Sequence, residues 1–207
     1  EECDLGTAGN ADVFSGCLSD CTLTPLDWVQ VGVDIDGKAS ADESGFAVSI
    51  SGDGLRVAVG AHVDAGNIGY VRVFEFTAGA WMQLGTDIDG EAAGDHFGFS
   101  VSMSSDGTCV AIGAPLNTVG GTMTDAGHVR VYKYTTGAWT QLGVDFDGTA
   151  PSQATGWSTS LNSDCTRGAV GTLNSEIVRV FELSGNAWSQ LGSNIDAGFA
   201  SGRFGSQ

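Results

Sequence analysis

Trp81-Met82-Gln83-Leu84-Gly85, followed by Asp87-Ile88-Asp89-Gly90, is the stretch whose recurrence decides the fold. The first element returns as Trp28-Val29-Gln30-Val31-Gly32, Trp139-Thr140-Gln141-Leu142-Gly143 and Trp188-Ser189-Gln190-Leu191-Gly192, at spacings of 53, 58 and 49 residues. The second returns at a fixed offset as Asp34-Ile35-Asp36-Gly37, Asp145-Phe146-Asp147-Gly148 and the weakened Asn194-Ile195-Asp196-Ala197. A period of about 50 residues marks a supersecondary unit that buries its apolar faces against neighbouring units.

Three further strands follow within each period. In the second unit, Phe97-Gly98-Phe99-Ser100-Val101-Ser102-Met103 alternates and ends in Ser105-Asp106-Gly107, a hairpin signal. Cys109-Val110-Ala111-Ile112-Gly113-Ala114 comes next, matching Arg56-Val57-Ala58-Val59-Gly60-Ala61 in the first unit. The third strand is Tyr70-Val71-Arg72-Val73-Phe74-Glu75-Phe76, repeated at His128–Tyr134 and Ile177–Leu183. The tryptophan segment supplies the fourth. Four short strands in about 50 residues have the size of a propeller blade. The predicted fold class is therefore all-β: four-stranded antiparallel blades of β-propeller type, about three complete with partial ends. The units begin near residues 28, 81, 139 and 188 and occupy 25–207, behind a small disulfide-rich segment at 1–24. The third unit is degenerate: Trp157 stands where Phe99 does, and its turn, Asn162-Ser163-Asp164-Cys165, lacks the glycine.

Charge narrows the partners. Twenty-five acidic residues against eight basic ones give a net charge of −17 over 207 residues. Such a surface repels nucleic-acid phosphates and anionic lipid, and favours divalent cations, basic partners or plain solubility. No apolar run reaches the length of a membrane span. Of five cysteines, Cys3, Cys17 and Cys21 crowd the start, while Cys109 and Cys165 occupy equivalent hairpins of successive units. The cluster reads as disulfide chemistry and an oxidising compartment. A zinc site lacks both a nearby histidine and a CxxC pair. Cys109 and Cys165 either bridge adjacent blades or are buried thiols. The chain opens on Glu1 inside the cysteine-bearing segment, as a processed or truncated start would. Three blades leave raw strand edges, so either the natural chain continues or several copies assemble edge to edge.

Phe97-Gly98, with Gly113-Ala114-Pro115 beyond it, resembles the FG-GAP signature of integrin-α-like propeller repeats. The first unit keeps Gly45 and Gly60-Ala61, and the third keeps Gly156 and Gly171. The pattern from 28 to 207 is similar to extracellular repeat proteins of algae and related protists. Glu2-Cys3-Asp4, then Gly16-Cys17 and Cys21, resembles the end of a short cysteine-rich repeat, a family that usually carries one more cysteine upstream. The resemblance implies a secreted or cell-surface protein. It also implies Ca²⁺ bound through an Asp-x-Asp-x-Asp-Gly loop, of which this chain lacks the third alternating Asp.

The candidate metal ligands are accordingly Asp34, Asp36 and Asp42 in the first unit and Asp87, Asp89 and Asp95 in the second. Carboxylates at i and i+2 share one side of an extended segment and suit an oxygen-rich Ca²⁺ site. The competing reading is a turn in which Asp caps amides and Gly takes positive φ. Arg72, Arg130 and Arg179 hold one repeat position, as do Trp28, Trp81, Trp139 and Trp188; a residue needed once per blade reads as architectural. His62, His96 and His128 show no metal spacing. No nucleophile elbow, metalloprotease helix, P-loop or dinucleotide fingerprint is present, so no catalytic residue is assigned. Ser51–Gly54 and Ser104–Gly107 resemble the Asp-box of sialidase propellers, but Val57 and Val110 stand where its tryptophan belongs. The expected function is non-catalytic: a structural or adhesive repeat of cell surface, matrix or filament. The alternatives are a Ca²⁺-dependent binder and a non-catalytic part of a secreted hydrolase or lyase. The expected partners are other extracellular proteins, glycans, or copies of the chain.

Overall fold

A computed structural model describes residues 29–64 and 66–196. The chain divides into two compact units, Glu1–Val31 and Gly32–Gln207. Expectations for Cys3, Cys17, Cys21, Trp28 and the end of the fourth repeat lie outside the described residues.

Each repeat forms an antiparallel meander. The first sheet has β1 (Ala47–Ile50), β2 (Arg56–Ala61), β3 (Tyr70–Thr77) and β4 (Ala80–Gln83), with β5 (Ile88–Asp89) also on β3. The second has β6 (Ser100–Met103), β7 (Cys109–Ala114), β8 (His128–Thr135) and β9 (Ala138–Gln141). The third has β10 (Thr155–Leu161), β11 (Arg167–Thr172), β12 (Ile177–Ser184) and β13 (Ala187–Gln190), with β14 (Ile195–Asp196) on β12. The described residues contain no helix, and the tryptophan segments are the fourth strands, as their alternation predicts.

Ile88-Asp89 in the second Asp-x-Asp-Gly element forms the short strand β5 on β3, and Ile195-Asp196 does the same on β12, whereas 34–37 and 145–148 hold no strand of their own. β4 pairs with the second half of β3, the chain steps across Leu84–Asp87, and Ile88 then pairs with Val71 in the first half. The alternation explains this: Ile88 is 5% exposed and Phe146 2%, while Asp89 and Asp147 face solvent.

The sheets stack face to face. β6 packs on β1 and β2, and β10 packs on β6, β7 and β8. One core layer lies between the first two sheets (Ala58, Val71 and Val73 against Val110, Ile112 and Phe97). A second lies between the next two (Ala111, Val129 and Val131 against Val170, Phe181 and Trp188). Burying each such side chain is worth about 1.5–3 kcal/mol, so neighbouring sheets hold each other folded. Hydrogen bonds repeat across each junction. Met103 N donates to Ser49 Oγ and Leu161 N to Ser102 Oγ, both at 2.9 Å. Gly52 N donates to Ser105 O and Ser105 N to Ser163 O. Gly60 and Gly113 sit where the carbonyls of Gly98 and Gly156 in the next sheet close in, leaving no room for a Cβ. Cys109 and Cys165 form a disulfide that ties the second sheet to the third. Cys165 takes φ +61°, the left-handed value that Gly107 takes in the second sheet, so the degenerate turn keeps its shape without glycine.

Candidate binding face at the long-loop end

The meander sorts its connections to two ends. The β1–β2 and β3–β4 hairpins are tight and lie at one end. The β2–β3 loops and the segments entering β1, β6 and β10 are longer and lie at the other. At the hairpin end, Ser-x-Asp closes on itself: Ser51 Oγ donates to Asp53 and Ser104 Oγ to Asp106. Arg56–Glu75 and Arg167–Glu182 pair across strands there. The long-loop end holds the six carboxylates singled out from the sequence, the repeated arginines and the three histidines.

Asp42, Asp87 and Asp95 are engaged with the chain's own donors. Asp42, 5% exposed, accepts from Lys38 N at 2.8 Å, from Ala39 N and Ser44 N at 3.1 Å, and from Tyr70 OH. Burial alone would raise its carboxyl, but the Tyr70 hydroxyl and these amides hold it down at about 2. Asp95 accepts from Ala92 N and from Asn117 Nδ2. The third unit has Gln153 at this position, and its Oε1 accepts from Thr149 N at 2.7 Å. A neutral amide thus does the work of the carboxylate.

The leading Asp behaves the same way. Gln83 Nε2 donates to Asp87 at 2.8 Å, Gln141 Nε2 to Asp145 at 2.6 Å, and Gln190 Nε2 to Asn194 Oδ1 at 3.0 Å. This clasp explains the glutamine of the tryptophan motif, and Asn194 preserves it without charge. Lys38 Nζ also pairs with Asp87 at 2.8 Å while lying 3.6 Å over the Tyr70 ring. It borders a groove lined by Asp42, Val63 and Asp64. Asp34, Asp36 and Asp89 are exposed. Neither predicted set of three gathers its carboxylates round one point. Among the described residues one group does so, Glu91, His128 and Asp145, and a guanidinium already stands in it. Arg130 binds Asp145 through Nε and Nη2, at 3.0 and 2.9 Å, and pairs with Glu91. The burial that would lower Arg130 is outweighed by these two carboxylates. His128, 2% exposed, is pushed down by burial and stays neutral.

The other repeated arginines reach backbone. Arg72 Nη2 donates to Asp36 O, and Arg179 Nη2 donates to Asp147 O at 2.7 Å. Each thereby pins the second Asp of the acidic element preceding its own strand.

The segment entering each inner strand has one repeated turn. Phe46 N donates to Glu43 O, Phe99 N to His96 O and Trp157 N to Ala154 O. Glu43, His96 and Ala154 all take left-handed φ, +53° to +56°, and the intervening glycines sit at +90° to +92°. This turn lines up Phe46, Phe99 and Trp157, with ring centroids 5.0 and 4.5 Å apart. His62 meets Phe46 at 4.1 Å, and Phe99 and His96 at 5.3 Å. Its Nε2 lies 3.6 Å from Glu43 Oε2. The aromatic row joins three units, and the sequence shows only its members, not their contact.

The stretch bounded by the acidic element and the third strand of the second unit matches a family model described as FG-GAP repeat, over residues 86–132. This segment is similar to an FG-GAP repeat. It spans β5, β6 and β7 and runs into β8. Its Phe97 fills the first core layer, and Gly98 N donates to Gly113 O at 3.0 Å. The FG and GAP ends are therefore neighbours at the long-loop end of a blade. No curated protein sequence matches the chain. Sqt1 of Saccharomyces cerevisiae aligns with TM-score 0.52 and 16% identity, over 81% of this chain and 38% of Sqt1. A protein of Bacteroides uniformis provisionally assigned as a 6-phosphogluconolactonase aligns with TM-score 0.52 and 13% identity, over 72% of this chain and 39% of that one. Hydrazine synthase of Kuenenia stuttgartiensis aligns with TM-score 0.50 and 10% identity, over 86% and 41%. The chain thus spans about two fifths of each, and at these identities the likeness is one of fold: propeller-type blades.

Proposed function

We propose that this chain is a non-catalytic, extracellular binding or structural repeat, presenting its long-loop end to partners in a surface layer or matrix. One observation carries the reading. Asp42, Asp87, Asp95 and the repeated arginines at this end hydrogen-bond within the fold, and neutral Gln153 and Asn194 replace acids without losing the hydrogen bonds. Positions that tolerate this exchange need an acceptor, not a charge that does chemistry. The Cys109–Cys165 bridge fits an oxidising compartment, and the acidic surface fits basic protein partners.

The test is surface labelling of native cells with a membrane-impermeant biotin reagent, followed by adhesion of the purified chain to extracted matrix. Labelling of the intact-cell pool and retention on matrix support the reading. An unlabelled, intracellular pool with both cysteines reduced, or a chain that does not adhere, contradicts it.

A further inference from the structure

The aromatic row has a charge environment of its own. Phe46 is 51% exposed, and Glu43, three residues before it in the same turn, is also exposed. Both touch His62, which is 7% exposed, is pushed below its ordinary value by burial and so carries no charge to repel a cation. Its Nδ1 is buried without a hydrogen-bond partner. Among the described residues the cations at this end are engaged elsewhere: Lys38 with Asp87, Arg130 with Glu91 and Asp145, and Arg72 and Arg179 with carbonyls. What remains beside the rings is the Glu43 carboxylate, on a chain with a large negative excess.

Aromatic faces next to a carboxylate attract cationic side chains, because the ring quadrupole and the anion act on the same charge. A row of rings that is exposed at Phe46 and half-buried at Phe99 and Trp157 also accepts a planar guanidinium by stacking. We infer that Phe46, Phe99 and Glu43 form a docking site for an arginine or lysine side chain of a basic protein segment, with Trp157 extending the row to a second such side chain. The inference rests on the binding reading above and names the partner's chemistry.

Calorimetric titration of the whole chain with an acetylated, amidated Gly-Arg-Gly-Arg-Gly peptide tests it. The same peptide with citrulline for arginine, and a neutral N-acetylglucosamine oligomer, are the controls. Binding of the arginine peptide alone is expected, weakened about three- to tenfold by Phe46→Ala and measurably by Glu43→Gln. Both residues are exposed, and unchanged denaturation curves verify that the variants fold. Three results overturn the site: arginine binding indifferent to both substitutions, equal binding of the citrulline peptide, or binding of the oligosaccharide alone. If Phe46→Ala leaves matrix adhesion intact and arginine affinity unchanged, this site falls while the binding function stands. If the unaltered chain fails to adhere but binds the arginine peptide through Phe46, the reverse holds.

Discussion

Trp139 donates its indole Nε1–H to the Leu84 carbonyl at 2.8 Å, and its ring lies against Gly85. Trp188 repeats the arrangement on Leu142 and Gly143. The tryptophan of one repeat is thus seated by the Leu-Gly of the preceding repeat, and the motif records a contact between neighbours. Gly85 sits at φ +79°, and a Cβ there would stand 3.0 Å from Trp139 Cδ1. Gly85→Ala is expected to cost about 1–3 kcal/mol through the left-handed backbone and the crowded ring. Trp139→Phe is expected to cost a similar amount through the lost hydrogen bond and area. Urea denaturation of each variant checks both.

Reduction of the bridge gives a second prediction. Cys109 and Cys165 are 56 residues apart in sequence and join two stacked sheets. Cys109→Ala with Cys165→Ala should lower stability by about 2–4 kcal/mol, since the unfolded chain regains the freedom of that loop. A midpoint that does not move when the unaltered chain is treated with reductant would contradict it.

Acid should loosen the first long loop before the sheets. Asp42 is held at about 2 when folded, against an ordinary 3.8. Its contribution is fully present above about pH 4 and is lost as pH falls through 2. Stability of the unaltered chain should therefore drop between pH 4 and 2, with a shallower drop in Asp42→Asn. Denaturation midpoints across that range decide it; parallel curves would show that Asp42 contributes nothing.

If the acids of the repeat serve as acceptors, charge is dispensable at the clasp. Asp87→Asn should keep the Gln83 bond, as Asn194 keeps that of Gln190, and lose only the partly exposed pair with Lys38. The expected cost is below about 1 kcal/mol. Thermal midpoints with Ca²⁺ and with chelator should coincide. A Ca²⁺-dependent rise abolished by Asp87→Asn would restore the metal reading of these carboxylates.

What could be read from the sequence was what lies along one strand. The alternation of Tyr70–Phe76 and the turn at Asp106-Gly107 gave the meander directly, because strand periodicity and hairpin chemistry are local. The short strand at Ile88-Asp89 was not legible, for the opposite reason. Its pairing with β3 lies beyond the step at Leu84–Asp87, and no local signal says that the strand resumes at Ile88. The placement of Cys109 and Cys165 in equivalent hairpins admitted a bridge, but only the stacking of the sheets brings the two together. The row Phe46–Phe99–Trp157 was hidden in the same way, since each ring belongs to a different repeat. Gln153 and Asn194 were the available clue to the acids, neutral residues where a metal site would keep its charge.

Amide hydrogen exchange tests the stacking of the repeats most directly. Met103 and Leu161 donate their amides to serine hydroxyls of the preceding sheet, Ser49 and Ser102. Both amides should exchange as slowly as Val110 and Ile112 within the second sheet, and Ser49→Ala should speed Met103 while leaving Ile112 slow. Rapid exchange at Met103 and Leu161 beside protected strand interiors would mean that the sheets fold without stacking on one another.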